Sequence, residues 1–177
     1  MGSGAAASEW IASLTREIPD FPEPGVRFRD LTPLLAHGGA LASVADALVA
    51  PFAGGFDVVA GIEARGFAFA AAAAARSGCG VLLIRKAGKL PGDRLSESYD
   101  LEYGNATLEV HVDQVPQGAR VLLVDDVLAT GGTLTAAARL VERAGWVSVG
   151  ASVVLEIAAL EGRTRLPSTR VHALAIT

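Results

Sequence analysis

The run from Val121 to Thr135, V-L-L-V-D-D-V-L-A-T-G-G-T-L-T, constrains the fold of this 177-residue chain more than any other. Val121 to Val124 is apolar without alternation, the pattern of a strand covered on both faces. Asp125 and Asp126 follow where such a strand would emerge into solvent. Ala129, Thr130, Gly131, Gly132 and Thr133 predict a short loop. Leu134, Ala138 and Val141 then recur at helical spacing, with Gly145 placed to end the helix. A strand, a glycine turn and a helix start together make an anion site. The first amides of a helix lack internal partners, and the helix dipole adds positive charge there.

Glycines let that backbone approach a phosphate closely, and the Thr130 and Thr133 hydroxyls can add donors. Carboxylates accept hydrogen bonds from vicinal hydroxyls, so an acid pair beside a phosphate cradle suits a ribose 5-phosphate. The plainer alternative is an ordinary strand–turn–helix with solvated acids at a sheet edge. The complete string favours the first reading, because it resembles the signature with which type I phosphoribosyltransferases bind 5-phosphoribosyl 1-pyrophosphate (PRPP).

The length fits one domain with a single sizeable core, taken as residues 1–177. A net charge of −4 argues against a general nucleic-acid or membrane surface. The single cysteine, Cys79, excludes an internal disulfide and suits a reducing compartment. The N-terminus lacks a secretory pattern, and the apolar run Gly66 to Ala75 is too short to span a bilayer. These features predict a cytoplasmic protein. His37, His111 and His172 have no metal-ligand spacing, so no side-chain metal site is expected.

From Ser8 as N-cap, Trp10, Ile11, Leu14 and Ile18 predict one helical face ending at Pro19. Phe21 to Asp30 is too proline-rich for a helix or an interior strand, and its aromatics could cover a flat ligand. Leu41, Val44, Ala45 and Leu48 mark an amphipathic helix. Val58-Val59-Ala60 predicts a strand running into Gly61-Ile62-Glu63-Ala64-Arg65-Gly66, with a helix from Phe67 to Arg76. The two glycines have P-loop spacing, but Phe67 stands where the lysine should be, so a nucleoside-triphosphatase reading fails. Val81 to Ile84 predicts a buried strand leading into a basic loop, Arg85 to Arg94. Two alternating runs around Gly104-Asn105 predict an antiparallel hairpin. Ser148 to Leu155 and Val171 to Ile176 add two strands. Alternating strands and helices imply an α/β fold with a mostly parallel twisted sheet flanked by helices. Ligands bind such sheets beyond the C-terminal strand ends, where the three marked turns can converge.

Four further stretches, F-P-E-P-G-V-R-F-R-D, G-I-E-A-R-G-F, L-I-R-K-A-G-K-L-P and Y-D-L-E-Y-G, extend the resemblance over roughly Phe21 to Leu160. In order and spacing they are similar to the adenine phosphoribosyltransferase family. The resemblance implies the type I fold with a small N-terminal hood near residues 8–33 and a lid near 87–98. It implies transfer of the phosphoribosyl group of PRPP to N9 of adenine, giving AMP and pyrophosphate in purine salvage. Mg²⁺ is held mainly by the substrate, and the enzyme is a homodimer with Arg85-Lys86 reaching toward the partner's site.

By the same resemblance Asp125 and Asp126 hold the ribose hydroxyls, and Ala129, Thr130, Gly131, Gly132 and Thr133 hold the 5-phosphate. Glu63, Ala64, Arg65, Arg85, Lys86 and Lys89 take the pyrophosphate, with a cis peptide at Glu63–Ala64. Phe28 stacks on adenine while the backbone of Arg27 and Arg29 reads its edge. Glu102 handles a proton near purine N7, and Tyr99 and Tyr103 belong to the lid. Two residues depart from the family pattern: Arg27 replaces an apolar residue, and Ala87 a frequent proline. A 6-oxopurine substrate is disfavoured because the F-R-D loop lacks the lysine such enzymes often use. A PRPP-sensing regulator would need a nucleic-acid-binding segment, for which there is neither room nor a basic helix.

Overall fold

The computed structural model describes residues 3–100 and 105–177. The chain opens with helix α1 (Ser3–Leu14) and a small antiparallel pair, β1 (Arg16–Pro19) and β2 (Arg27–Asp30), in which Ile18 faces Phe28. The helical face expected to reach Ile18 therefore ends sooner. Pro19 explains the change, since the residue before a proline is pushed into extended backbone. Alanines before Ser8 carry the helix further upstream instead. Phe21 to Asp30 is likewise not all loop: its last four residues pair with β1 at a sheet that has only edges.

Helices α2 (Thr32–Ala36) and α3 (Gly38–Val49) lead into β3 (Val58–Ile62), and α4 (Arg65–Ser77) into β4 (Gly80–Lys86). The hairpin is β5 (Arg94–Asp100) and β6 (Asn105–His111), followed by β7 (Arg120–Leu128), α5 (Gly132–Arg143), β8 (Val147–Glu156) and β9 (Val171–Ile176). The seven strands of the main sheet run in the order β5-β6-β4-β3-β7-β8-β9. All neighbours from β4 to β9 are parallel, and β6 pairs antiparallel with both β4 and β5. Because β3 leads through α4 to β4 on one side, while its other neighbour β7 leads through α5 to β8 on the other, the crossovers leaving β3 and β7 diverge, and a crevice opens at their C-terminal ends.

Strand alternation divides the core in two. Val58, Ala60, Ile62, Val121 and Leu123 point to the α5 side, where Leu134, Leu140 and Val141 meet them. Val59, Leu122 and Val124 point to α1, α3 and α4, against Val44, Leu48 and Phe69. Continuous apolar runs are thus buried on both faces in β3 and β7. The same expectation fails for β4: Leu82 and Ile84 are buried, but Val81 and Leu83 remain 39% and 40% exposed. Among the described residues nothing closes over these two side chains completely.

Two further boundaries differ from the sequence reading. β5 begins at Arg94, so the segment expected as a lid over 87–98 is strand in its second half. β7 outlasts its apolar run by four residues, carrying Asp125 and Asp126 inside the strand rather than into solvent. No helix among the described residues is long and apolar enough to cross a membrane.

Replacing Phe69, fully buried beneath the sheet, by Ala should lower unfolding stability by about 3–5 kcal/mol. Ile18→Thr, at an exposed strand position, should stay within about 0.5 kcal/mol. Denaturant titration of the two variants checks the contrast.

Candidate functional site

The ends of β3, β4 and β7 frame a cleft of about 500 Å³ lined by Glu63, Arg65, Lys86, Asp125, Asp126 and Thr133. Three turns that are distant in sequence therefore meet in space. Glycines make the meeting possible. A Cβ on Gly61 would sit 2.7 Å from that of Ala70, and one on Gly66 would sit 2.7 Å from Asp125 Oδ1. The glycines that mimic a P-loop thus serve close packing of α4's first turn onto β3 and β7.

The expected cradle is shorter than a free loop. Helix α5 begins at Gly132, so Gly132 and Thr133 already belong to its first turn. Gly131 is the N-cap at φ +82°, a left-handed conformation that suits glycine, and no side chain caps the helix. The leading amides therefore keep their capacity for an anion. Gly162 supports the turn from behind: a Cβ there would lie 2.0 Å from Ala129 O and 2.9 Å from Gly131 N. Sequence reasoning did not single out Gly162. It follows Glu161 as an ordinary turn residue, and only the tertiary contact reveals it.

Asp125 and Asp126 are each 8% exposed. Asp125 Oδ1 accepts from the Asp126 amide at 2.9 Å, and Asp126 forms an ion pair with Arg65 Nε. Burial, reinforced by the adjoining Asp126 charge, pushes the Asp125 carboxyl well above the usual range. Across the cleft the Glu63 side chain, 8% exposed, forms ion pairs with Lys89 and with Arg85 at 3.3 Å, and it accepts from the Lys86 amide at 3.0 Å. Burial works against its charged form, but these partners outweigh it and hold the carboxyl below its ordinary value. The Glu63–Ala64 peptide is cis, as expected.

Arg65 also links the cleft to the hood. Its guanidinium lies 5.3 Å from the centre of the Phe28 ring, which meets Phe21 edge-on at 5.1 Å. Arg27 and Arg29 alternate away from Phe28, and both form ion pairs with Glu17. The unusual Arg27 side chain therefore leaves the Phe28 face free. Arg85 and Lys89 reach the cleft through Glu63, and Tyr99 lines it beside Thr133. Thr130 is exposed on the turn between β7 and α5, and Ala129 holds the near end of that turn against Gly162. Glu102 and Tyr103 lie outside the described residues.

The phosphoribosyl transferase domain family matches residues 31–172. The adenine phosphoribosyltransferase of Clavibacter sepedonicus is 61% identical over 170 residues, covering 96% of this chain and 88% of that protein. The crystal structure of adenine phosphoribosyltransferase from Rhodothermus marinus superposes with a TM-score of 0.91 at 46% identity, covering 98% of this chain and 99% of that one. The Saccharomyces cerevisiae enzyme gives 0.90 at 34% identity over 96% of this chain and 99% of that chain; it was solved with an imino-altritol bisphosphate and adenine.

The raised Asp125 carboxyl has a consequence for stability. A proton held more tightly by the folded state stabilises it below the ordinary carboxyl range, and that contribution is lost as pH rises through the folded value. Asp125→Asn keeps the acceptor for the Asp126 amide and removes the charge. At pH 7 it should melt above the parent protein, with the gap closing toward pH 4; each kcal/mol appears as about 2–4 °C at this size. Calorimetric melting at both pH values checks the sign.

Proposed function

Since the chain belongs to the adenine phosphoribosyltransferase family, we propose that it transfers the phosphoribosyl group of PRPP to adenine, releasing pyrophosphate and forming AMP in purine salvage. The observation that carries the assignment of roles is the meeting of acid pair, uncapped helix start and Glu63–Arg65 turn in one cleft. In this reading Asp125 and Asp126 accept from the ribose hydroxyls. The amides from Ala129 to Thr133, with the Thr130 and Thr133 hydroxyls, take the 5-phosphate. Arg65, Lys86, Arg85 and Lys89 face the pyrophosphate from the other rim.

The chemistry asks for positioning and for stabilisation of the departing charge more than for covalent help. Holding both ends of PRPP fixes the sugar carbon in line with the incoming base. Phe28 offers a flat apolar face for adenine, with Phe21 supporting its edge. Glu102 handles the proton near purine N7. The segment 87–93, tied at its base by Gly88 N and, just beyond it, Arg94 to Glu109 at 3.0 and 3.1 Å, closes over the cleft and excludes water. Mg²⁺ suits a cleft whose side-chain donors are hard carboxylate oxygens, and it neutralises pyrophosphate charge when bound. The substrate's own oxygens would hold most of it, with the Asp125 and Asp126 carboxyl groups beside it at the ribose.

The protein works in the cytoplasm as a homodimer. Val81, Leu83 and Arg85 share one face of β4, and the two apolar members are left open by the chain's own helices. A second copy covers this face and brings the Arg85-Lys86 region toward the neighbouring cleft.

PRPP and Mg²⁺ supplied with adenine, hypoxanthine, guanine or xanthine should yield nucleotide with adenine alone; turnover of a 6-oxopurine instead would overturn the assignment. Glu102→Leu should lower kcat by about 10²–10⁴ while leaving PRPP affinity within a few-fold. Leu83→Glu should shift sedimentation from dimer to monomer, and an unchanged sedimentation coefficient would place the interface elsewhere.

A further inference from the structure

The two threonines at the start of α5 behave differently. The Thr135 hydroxyl donates to Gly131 O at 2.8 Å, the back-bond that threonine ordinarily makes inside a helix. The Thr133 hydroxyl does not. It points into the cleft and donates to the Tyr99 hydroxyl at 3.2 Å. That separation is at the long end for two hydroxyls, so a charged acceptor nearby would compete well for the Thr133 proton.

Tyr99 is held in place by the protein itself. Its strand β5 is fastened to α5 by Arg143, which meets Glu97 Oε2 at 2.5 Å and Ser96 O at 2.8 Å. Tyr99 pairs across the hairpin with Ala106, and its ring packs against the α5-side core. The ring is also the wall between the cleft and a second groove of about 380 Å³ bounded by Thr135, Arg139 and Arg165. A fixed phenol therefore stands directly behind a hydroxyl of the phosphate cradle.

We propose that Tyr99 is a positioning residue of the 5-phosphate site, acting through Thr133. With the cradle empty, Thr133 donates to Tyr99. When a phosphate oxygen accepts the Thr133 proton, the Thr133 oxygen is freed as an acceptor and the Tyr99 O–H turns to donate to it. The result is a directed chain from Tyr99 through Thr133 to the phosphate, in which each bond polarises the next. No proton leaves its oxygen. Occupancy of the cradle is thereby registered on the β5–β6 hairpin. This rests on the reading of the cradle as the 5-phosphate site.

The test compares Tyr99→Phe, Thr133→Val and the double variant by titration calorimetry with PRPP, AMP and pyrophosphate. Tyr99→Phe keeps the ring and its packing and removes only the hydroxyl. It should weaken PRPP and AMP, which carry a 5-phosphate, by about fivefold, and leave pyrophosphate unchanged. In the Thr133→Val background the added Tyr99→Phe change should have no further effect, and Tyr99→Phe with Thr133→Ser should retain the coupling. Equal weakening of all three ligands, full additivity, or unchanged PRPP and AMP affinity would each overturn the proposal. If the parent protein bound PRPP but lost no affinity in Thr133→Val, the placement of the 5-phosphate itself would be wrong, a separate outcome.

Discussion

Two carboxylates side by side, mostly withdrawn from water at the end of β7, set the terms for the rest of the site. Each ion in such a place loses hydration worth several kcal/mol, and neighbouring like charges add repulsion. The chain answers with the Arg65 guanidinium against Asp126, a hydrogen bond from the Asp126 amide to Asp125 Oδ1 and a partial retreat of Asp125 from ionisation. Arg65 can serve only because α4 starts immediately beneath β7, and α4 can start there only because residue 66 has no side chain. The acid pair, the neighbouring cation and the bare backbone between them form one arrangement.

The opposite rim uses the reverse device. Glu63 gathers Lys89, Arg85 and the Lys86 amide around one nearly covered carboxylate. The cleft is therefore partly neutralised from within: Arg65, Arg85 and Lys89 rest on protein acids. A polyanion entering it exchanges partners rather than meeting bare charge. Fixed dipoles and pre-placed cations of this kind need little rearrangement when charge develops on a leaving group. The guanidinium of Arg65, lying between Phe28 and Asp126, belongs to the same economy of shared partners.

Local signals carried much of this. The unbroken apolar runs of β3 and β7, the helical spacing of α3 and α5, and the antiparallel pairing of β5 with β6 each follow from backbone physics over a few residues, and these elements stand where expected. The acid pair and the glycine turn were visible as chemistry before any coordinates. What escaped depended on distant contacts or on competition between neighbours. Ile18 fits a helical face, but Pro19 draws it into a strand. Val81 and Leu83 look buried by composition, yet the described residues leave both side chains partly open. Arg27 departs from the family's apolar residue, and only the folded pairing with Glu17 shows where its side chain goes. The burial of Asp125 and Asp126 required knowing that β7 continues beyond its apolar residues.

Gly162 carries the longest reach of these features. Its α-carbon packs against the backbone of the turn before α5, although it arrives from the segment after β8, on the far side of a helix and a strand. That segment is clamped in turn, because Arg163 bonds Glu156 at 2.5 and 3.0 Å and Val171 O at 2.7 Å. The shape of the cradle is thus inherited in part from the chain's last quarter. A side chain at residue 162 would deform it without altering a single ligand-facing atom, whereas the exposed positions on either side of that glycine are free to change.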